Sequence, residues 1–241
     1  MRGARYRQDD ITVILDLDHT LLHTQNDMRG YEDVLKVSSE ENPRWRRRLY
    51  RLSFNESGRS GIPSSTLSSL DKTKKAEILN MMKNNNMWGV FRPGAIDFYE
   101  YCFYNFSKVV VWSAGQYGYV HNIVNILHNI TGKYPHLVWT YDDLDVDDNG
   151  NYLKDLYKMA RDKKDIVGGI DRMIIIDDTE STFSRNVENA IHIPAYKFKG
   201  DPRKAFMQED HVFENIKAWA ENSCYEFQDI RDVEKGQIFE V

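Results

Sequence analysis

Two carboxylates that follow a short apolar run, Asp16 and Asp18, are the residues of this sequence whose types and spacing most suggest chemistry. The apolar run, residues 11–15, is rich in β-branched side chains, which is typical of a buried strand. In extended backbone alternate residues project from one side, so we expect Asp16, Asp18 and Thr20 to point the same way. Like charges on one face repel each other unless a cation lies between them or one carboxyl holds a proton. The pattern therefore predicts a metal or phosphate site.

Two further apolar runs end in polar residues of the same kind. Val109–Trp112 stops at Ser113, and Met173–Ile176 stops at Asp177 and Asp178. Helical segments separate the three runs, which predicts an α/β fold with a doubly wound, mainly parallel sheet. Ligands bind outside the carboxyl ends of the strands in such sheets. The residues that we expect to converge on one crevice are Asp16, Asp18, Ser113, Asp177 and Asp178.

Five segments in chain order carry a resemblance to a known family: DLDHT, FRPG, VVVWSAG, GNYLKDL and IIIDDT, between residues 11 and 179. A D-x-D-x-T pattern just after a strand resembles the haloacid dehalogenase (HAD) superfamily of phosphotransferases. The fuller string DLDHTLLHT resembles its Fcp/Scp branch, phosphatases that act on the C-terminal domain of RNA polymerase II and related phosphoproteins. The resemblance implies a Rossmann-like core, bound Mg²⁺ and hydrolysis of phosphoserine or phosphothreonine. Ser113 stands where many relatives have threonine, and Asp178 where some have asparagine.

Phosphoryl transfer requires a nucleophile, neutralisation of the phosphoryl oxygens and a proton for the departing oxygen. We expect the Asp16 carboxylate to be the nucleophile, forming an aspartyl-phosphate. Asp18 would protonate the leaving group and then act as base on the hydrolytic water. Mg²⁺ prefers oxygen ligands and would relieve the repulsion between the acids. Its expected ligands are Asp16, the backbone carbonyl of Asp18, and an acid from the pair Asp177 and Asp178.

Other side chains are expected to hold the phosphate and the substrate. The Ser113 hydroxyl would bind a phosphoryl oxygen, joined by backbone N–H groups of the turn at Gly115. The string GNYLKDL resembles the family segment that carries the phosphate-binding lysine, which assigns that role to Lys154. By the same resemblance Arg92, in the R-P-G element, either touches the phosphate or supports the site.

Two more residues complete the predicted substrate-binding set. Thr20 closes the first motif, and Tyr119 lies on the apolar stripe of the helix that follows Ser113. His19 lies between the catalytic elements, and strand alternation predicts that it points away from the carboxylates.

The chain of 241 residues is expected to form a single HAD-like domain over residues 1–241. Two insertions are predicted, a peripheral one at about 38–86 and an acidic hairpin at about 137–152. We expect a short strand around residues 34–37, a strand or hairpin arm in WRRRLYRLSF, a helix capped by Asp71, and a helix over Leu153–Arg161.

The composition indicates the class of protein but does not identify its binding partner. Two cysteines give no disulfide framework, and no apolar run approaches the length of a membrane span, so we expect a soluble intracellular protein, nuclear or cytoplasmic. The net charge of −5 hides an arginine cluster at residues 44–51 and an acidic stretch at residues 142–148. The cluster keeps a phosphatase for nucleic-acid ends or small phosphate esters open as an alternative, although a solvated basic edge is favoured. A non-catalytic phosphoprotein-binding scaffold of the same fold is the other alternative.

Overall fold

The computed structural model describes residues 10–25, 31–40, 43–53, 71–76, 86–197, 203–222 and 229–239. In those ranges the strands are β1 (Thr12–Leu15), β2 (Leu22–Gln25), β3 (Leu49–Ser53), β4 (Asn86–Phe91), β5 (Lys108–Trp112), β6 (Leu137–Trp139), β7 (Asp145–Val146), β8 (Tyr152–Leu153), β9 (Met173–Asp177) and β10 (Ala190–His192). The α-helices are α1 (Tyr31–Glu40), α2 (Pro43–Arg48), α3 (Ala95–Asn105), α4 (Tyr117–Thr131), α5 (Leu156–Asp162), α6 (Lys164–Val167), α7 (Arg203–Met207) and α8 (Val212–Asn222). Short 3-10 helices cover Tyr141–Asp143, Ile170–Arg172, Glu180–Phe183, Val187–Asn189, Ile230–Asp232 and Gly236–Phe239.

Five parallel strands form the main sheet in the order β10-β9-β1-β5-β6, which confirms the predicted α/β class. Strand β1 is central in the sheet. Strands β5 and β6 follow on one side of β1, and β9 and β10, which come later in the chain, lie on its other side. This reversal makes a switch point between β1 and β9, the place where such sheets bind ligands.

The register of the sheet brings the polar strand ends to one level. Leu15 is paired with Val111 on β5 and with Ile176 on β9, so the residue after Leu15 lies beside the end of β9. The backbone N–H of Asp16 accordingly donates to the carbonyl of Ile176 at 3.1 Å. On the other side the N–H of Ser113 donates to the carbonyl of Trp139 at 3.1 Å, which fixes the end of β5 against β6.

Apolar layers cover both faces of the main sheet, as strand alternation requires. Val13 and Leu15 belong to a cluster with residues of α3, α4 and α8, whereas Ile14 belongs to a second cluster with residues of α5 and α6. The first cluster includes Phe98 and Phe213, whose rings stack with centroids 4.5 Å apart. Buried on both faces, β1 is a fully enclosed strand.

A second, antiparallel sheet has the order β2-β4-β3 and packs with α1 and α2. Its apolar cluster includes Tyr31, Val34, Leu49, Trp88, Val90, Tyr196 and Phe206. Arg48 ties this layer together, because its guanidinium donates to the carbonyls of Phe91 and Phe206 and to the hydroxyl of Tyr196. The segment 43–53, which we expected to be peripheral, thus supplies a buried strand to the layer beside the main sheet.

Of three local predictions, the first was wrong and the other two were right only in part. Residues 34–37 lie in helix α1, and the buried residues Tyr31, Val34 and Ser38 recur at helical spacing. The string WRRRLYRLSF is helical up to Arg48 and becomes a strand only at Leu49. The helix predicted over Leu153–Arg161 begins at Leu156, because the preceding Asp155 accepts hydrogen bonds from the N–H groups of the first turn and is the N-cap.

The cap predicted at Asp71 is confirmed. Asp71 caps the helical residues 72–76 by accepting from the N–H groups of Thr73 and Lys74; the rest of that predicted helix lies outside the described residues. The acidic hairpin predicted at about 137–152 is formed by β7 and β8, whereas residues 137–139 form strand β6 of the main sheet. In the acidic hairpin Gly150 has a φ of +84°, which suits glycine at a tight turn. In the described part of the chain no helix is long and apolar enough to cross a bilayer.

Replacing Phe213 by alanine tests the packing of α8 on α3. Phe213 is fully buried against Phe98, so Phe213→Ala should lower the free energy of unfolding by about 3–5 kcal/mol. Met207→Ala, at a side chain 69% exposed, should change it by less than about 0.5 kcal/mol. Urea unfolding followed by circular dichroism measures both; equal midpoints would contradict this packing.

Candidate active site

A buried ammonium lies between two carboxylates at the switch point of the main sheet. Lys154 Nζ donates to Asp16 Oδ1 and to Asp177 Oδ2, each at 2.6 Å, and all three side chains are almost completely buried. Burial by itself would lower the pKa of Lys154, but the charges of Asp16 and Asp177 outweigh it and raise that pKa. The structure therefore brings together, as predicted, acids from β1 and β9 and the lysine that follows β8.

Three carboxylates at this point are arranged as cation ligands. One oxygen each of Asp16, Asp177 and Asp178 lies within 4.8 Å of the others. Burial, and the neighbouring charge of Asp177, raise the pKa of both Asp16 and Asp178. A single ammonium cannot neutralise three acids, and oxygen ligands are those that Mg²⁺ prefers, so the donor set fits Mg²⁺.

The carboxylate of Asp177 is held on both of its oxygens by the loop that follows β9. Oδ1 accepts from the N–H of Thr179 at 2.8 Å, and Oδ2 accepts from the hydroxyl of Thr182 at 3.1 Å as well as from Lys154. The same loop holds the lysine, because the N–H of Lys154 donates to the carbonyl of Thr182 at 2.6 Å. The contribution of Thr182 to the site was not predicted from the sequence. It is visible only in the folded structure, where Thr182 contacts both Asp177 and Lys154.

The carboxylate of Asp18 has a different environment from that of the three clustered acids. Its Oδ1 accepts a hydrogen bond of 2.6 Å from the hydroxyl of Tyr119. Burial raises the pKa of Asp18, although the hydrogen bond from Tyr119 opposes the shift. A carboxyl that holds a proton more firmly than usual suits the general-acid role expected of Asp18. Its side chain is not one of the clustered ligands, which is compatible with the expected use of its backbone carbonyl.

The turn after β5 is compact around Ser113. The buried Ser113 Oγ accepts from the N–H of Gly115 at 3.0 Å, so that N–H is engaged within the turn instead of pointing freely at a substrate as we expected. Among the described residues no acceptor takes the hydrogen of the Ser113 hydroxyl, which leaves it as a donor. A Cβ at Gly115 would lie 2.7 Å from the Tyr119 ring and 3.2 Å from Ser113 Oγ, so only glycine fits there.

Thr20 presents a buried hydroxyl for which the described part of the chain offers no hydrogen-bond partner. A buried polar group without a partner costs free energy, and in native proteins it commonly marks a functional site. Thr20 is the last residue of the first motif, and the substrate-binding role predicted for it stays a prediction.

Arg92 has contacts of another kind. Its Nε donates to Asp210 at 2.7 Å and another guanidinium nitrogen donates to the carbonyl of Pro194 at 2.8 Å, while its plane lies near the rings of Tyr196 and Phe213. The side chain is only 3% exposed. The resemblance left two roles open for Arg92, a direct contact with the phosphate and support of the site. These contacts correspond to the supporting role.

The prediction for His19 was wrong. Its Nδ1 lies 4.0 Å from an oxygen of Asp178, and its ring stacks on that of His23. The reason is that β1 ends at Leu15: the carbonyl of Leu17 accepts from the N–H groups of Thr20, Leu21 and Leu22, and His19 has a left-handed φ of +65°. Strand alternation does not continue through such a turn.

Comparison with solved structures gives distant similarity. Fission yeast RNA polymerase II CTD phosphatase Fcp1 bound to beryllium fluoride is 16% identical with a TM-score of 0.51, and the match covers 93% of this chain and 53% of that one. Fcp1 described as an essential RNA polymerase II CTD phosphatase is 19% identical with a TM-score of 0.49, over 88% and 49%. A hydrolase from Pseudomonas syringae is 18% identical with a TM-score of 0.38, over 81% and 90%. The first of these supports the fold alone, and this chain spans about half the length of the two Fcp1 chains.

A family model gives the decisive match. No curated protein matches the chain. The sequence model of the NLI interacting factor-like phosphatases matches residues 64–231, which is well over half of the sequence. The matched stretch contains Ser113, Lys154, Asp177 and Asp178 and begins after Asp16. The chain belongs to the NLI interacting factor-like phosphatase family.

Proposed function

We propose that this protein is a Mg²⁺-dependent phosphatase that hydrolyses phosphoserine or phosphothreonine in a protein substrate through an aspartyl-phosphate. The observation that carries the proposal is the meeting of Asp16, Asp177 and Asp178 around Lys154 at the switch point of the sheet. When bound there, Mg²⁺ would offset the charge of the acids and of the phosphoryl oxygens.

In the first step the Asp16 carboxylate attacks phosphorus, and the bond between phosphorus and the serine or threonine oxygen breaks. Lys154 already contacts Asp16 Oδ1, which orients the carboxylate and leaves the other oxygen for attack. Asp18 gives its proton to the departing alkoxide. The Ser113 hydroxyl donates to a phosphoryl oxygen, and the buried Thr20 hydroxyl gains a partner in the same way.

In the second step water attacks the phosphorus of the aspartyl-phosphate. Asp18, now ionised, takes a proton from that water, the bond from Asp16 to phosphorus breaks, and phosphate leaves. Splitting the hydrolysis into two displacements gives each step a positioned nucleophile. Asp18 lies in the turn of residues 17–22, and its carboxyl is not one of the three clustered acids, so the acid–base group and the nucleophile have different hydrogen-bond partners.

The contacts made by the arginine cluster argue against a nucleic-acid substrate and so favour a protein substrate. The guanidinium of Arg48 is engaged by carbonyls and a tyrosine hydroxyl, and Arg51 lies over the ring of Tyr31. Arg47 forms a partly exposed ion pair with Glu100 at 3.7 Å. Arg48 is thus engaged within the second sheet, whereas Arg46, Arg47 and Arg51 are exposed, so the surface open to phosphodiester backbones is smaller than the sequence cluster suggests. The C-terminal domain of RNA polymerase II, the substrate named for the similar structures, is the first candidate, with an intracellular location, nuclear or cytoplasmic.

Replacing the proposed nucleophile tests the mechanism. Asp16→Asn should abolish turnover of p-nitrophenyl phosphate in Mg²⁺ by removing the attacking carboxylate, a loss of at least about a thousandfold, while the circular dichroism spectrum stays that of the wild type. Asp148→Asn, at an exposed acid of the hairpin, should leave the rate unchanged. Full activity in Asp16→Asn would refute the mechanism.

A substrate panel separates the proposed function from its alternatives. Phosphoserine and phosphothreonine peptides should be hydrolysed in Mg²⁺ and not after EDTA treatment, whereas oligonucleotides with a 5′- or 3′-phosphate should be poor substrates. Faster release of phosphate from the oligonucleotides would favour the nucleic-acid alternative. Inertness toward every phosphoester in Mg²⁺ would favour the non-catalytic scaffold.

The charge balance of the site gives a prediction that does not depend on turnover. Lys154→Met leaves Asp16 and Asp177 buried without their cation, which should cost about 3–5 kcal/mol of unfolding free energy. Added Mg²⁺ should raise the Tm of this variant more than that of the wild type, since binding to the folded state stabilises it.

The matched control is Lys158→Met, which breaks the partly exposed pair with Asp145 and should cost less than about 1 kcal/mol. Thermal scans with and without Mg²⁺ measure both variants. A Tm for Lys154→Met that does not respond to Mg²⁺ would contradict the assignment of the metal site.

A further inference from the structure

A chain of three hydroxyls leads from the second sheet to Asp18. The Tyr119 hydroxyl of α4 donates to Asp18 Oδ1 at 2.6 Å and forms a short hydrogen bond with Thr24 Oγ1 of β2. Thr24 Oγ1 in turn lies 2.7 Å from the hydroxyl of Tyr50 on β3. Both tyrosines are buried, so water does not compete freely for these bonds. Tyr50 and Thr24 have no part in the mechanism described above.

The hydrogens of this chain have one consistent direction when Asp18 is ionised. A carboxylate only accepts, and each hydroxyl has a single hydrogen to donate. Tyr119 therefore donates to Asp18, Thr24 donates to Tyr119, and Tyr50 donates to Thr24. Burial raises the pKa of Tyr50 and of Tyr119 well above the usual value, so both remain protonated donors. Hydrogen bonds aligned in this way strengthen one another.

The second sheet is built to let Tyr50 reach Thr24. Gly89 of β4 is paired with Thr24 on one side and with Tyr50 on the other, so the three residues form one row across the strands. A Cβ at Gly89 would overlap the Tyr50 hydroxyl and come within 2.5 Å of the His23 carbonyl. The Tyr50 side chain therefore crosses β4 over the glycine, and any other residue at position 89 would displace it.

We propose that Tyr50 and Thr24 are positioning residues that act through Tyr119 to hold Asp18 with Oδ1 engaged and Oδ2 free to exchange a proton with the leaving group. The inference rests on the proposed function, because it requires Asp18 to be the acid. It also gives a task in catalysis to the segment 43–53, which lies outside the matched part of the sequence. A carboxyl that rotates away from its productive orientation transfers its proton less often, even though the acid itself is still in the site.

The test compares substrates that differ in their need for a proton. Serine leaves as a strongly basic alkoxide and depends on the acid, whereas p-nitrophenolate is a weak base and hardly does. Tyr50→Phe removes one hydroxyl and keeps the ring over Gly89. It should lower kcat/KM for a phosphoserine peptide by about tenfold or more, and alter kcat/KM for p-nitrophenyl phosphate by less than about threefold. The ratio kcat/KM covers only the steps up to departure of the leaving group, so the later use of Asp18 as a base, which both substrates share, does not enter it.

Matched variants distinguish positioning from a general effect on the fold. Thr24→Val should show the same selective loss as Tyr50→Phe, and Thr24→Ser, which keeps the hydroxyl, should restore the wild-type ratio of the two rates. Tyr99→Phe removes another buried tyrosine hydroxyl, one that contacts the Lys133 carbonyl, and should leave both rates unchanged. Gly89→Ala should reproduce the selective loss by displacing Tyr50. If Gly89→Ala does not fold, Tyr50→Phe and Thr24→Val, which remove only a hydroxyl, decide whether the positioning role is correct.

The outcomes separate this inference from the function on which it rests. Equal losses on both substrates, or no loss in Tyr50→Phe and Thr24→Val, would overturn the positioning role while leaving the phosphatase in place. A wild-type protein inert toward both substrates in Mg²⁺ would instead overturn the proposed function.

Discussion

The buried ammonium of Lys154 between Asp16 and Asp177 is the interaction on which the rest of the site depends. Charges removed from water are tolerated only when they are paired and hydrogen-bonded. Here the three groups belong to different elements: the end of β1, the residue after β8 and the end of β9. The electrostatic requirement therefore becomes a requirement on the fold, because the small hairpin β7–β8 must lie against the switch point of a sheet to which it does not belong.

The two sheets contribute to the site in different ways. The main sheet sets the positions of Asp16 and Asp177 through the register of β1 and β9, which fixes them to backbone hydrogen bonds. The second sheet contributes through side chains, by way of the hydroxyls that end on Asp18. This division gives the nucleophile and the acid–base group different hydrogen-bond partners, although the charge of Asp18 still helps to raise the pKa of Asp16.

Much of this arrangement could be predicted from the sequence because it follows from strands. Apolar β-branched runs identified β1, β5 and β9, and the polar residues after them were expected at one edge. The prediction failed where backbone departs from regular structure: the turn at Leu17 and the left-handed His19 defeat an argument from strand alternation. Helix α1 was missed because its few apolar residues, Tyr31 and Val34 among them, gave too short a stripe.

Other features were beyond prediction because they depend on long-range register. Nothing in the sequence relates Thr24, Tyr50 and Gly89, which meet only when β4 pairs with both β2 and β3. Arg92 shows the reverse problem. A motif pointed to the residue but left two roles open, and the contact that favours the supporting role is with Asp210, more than a hundred residues away.

The central place of β1 in the sheet has a consequence for how this molecule can be divided. The stretch that matches the family, residues 64–231, begins after β1. A fragment cut at that boundary would lose the strand that joins β5 to β9, and its sheet would fall into two pairs, each with an uncovered apolar border. Unpaired strand borders of this kind invite association with other chains. The stretch that the family model matches is thus not a unit that can fold by itself. The smallest fragment able to fold independently must begin at residue 11 or before.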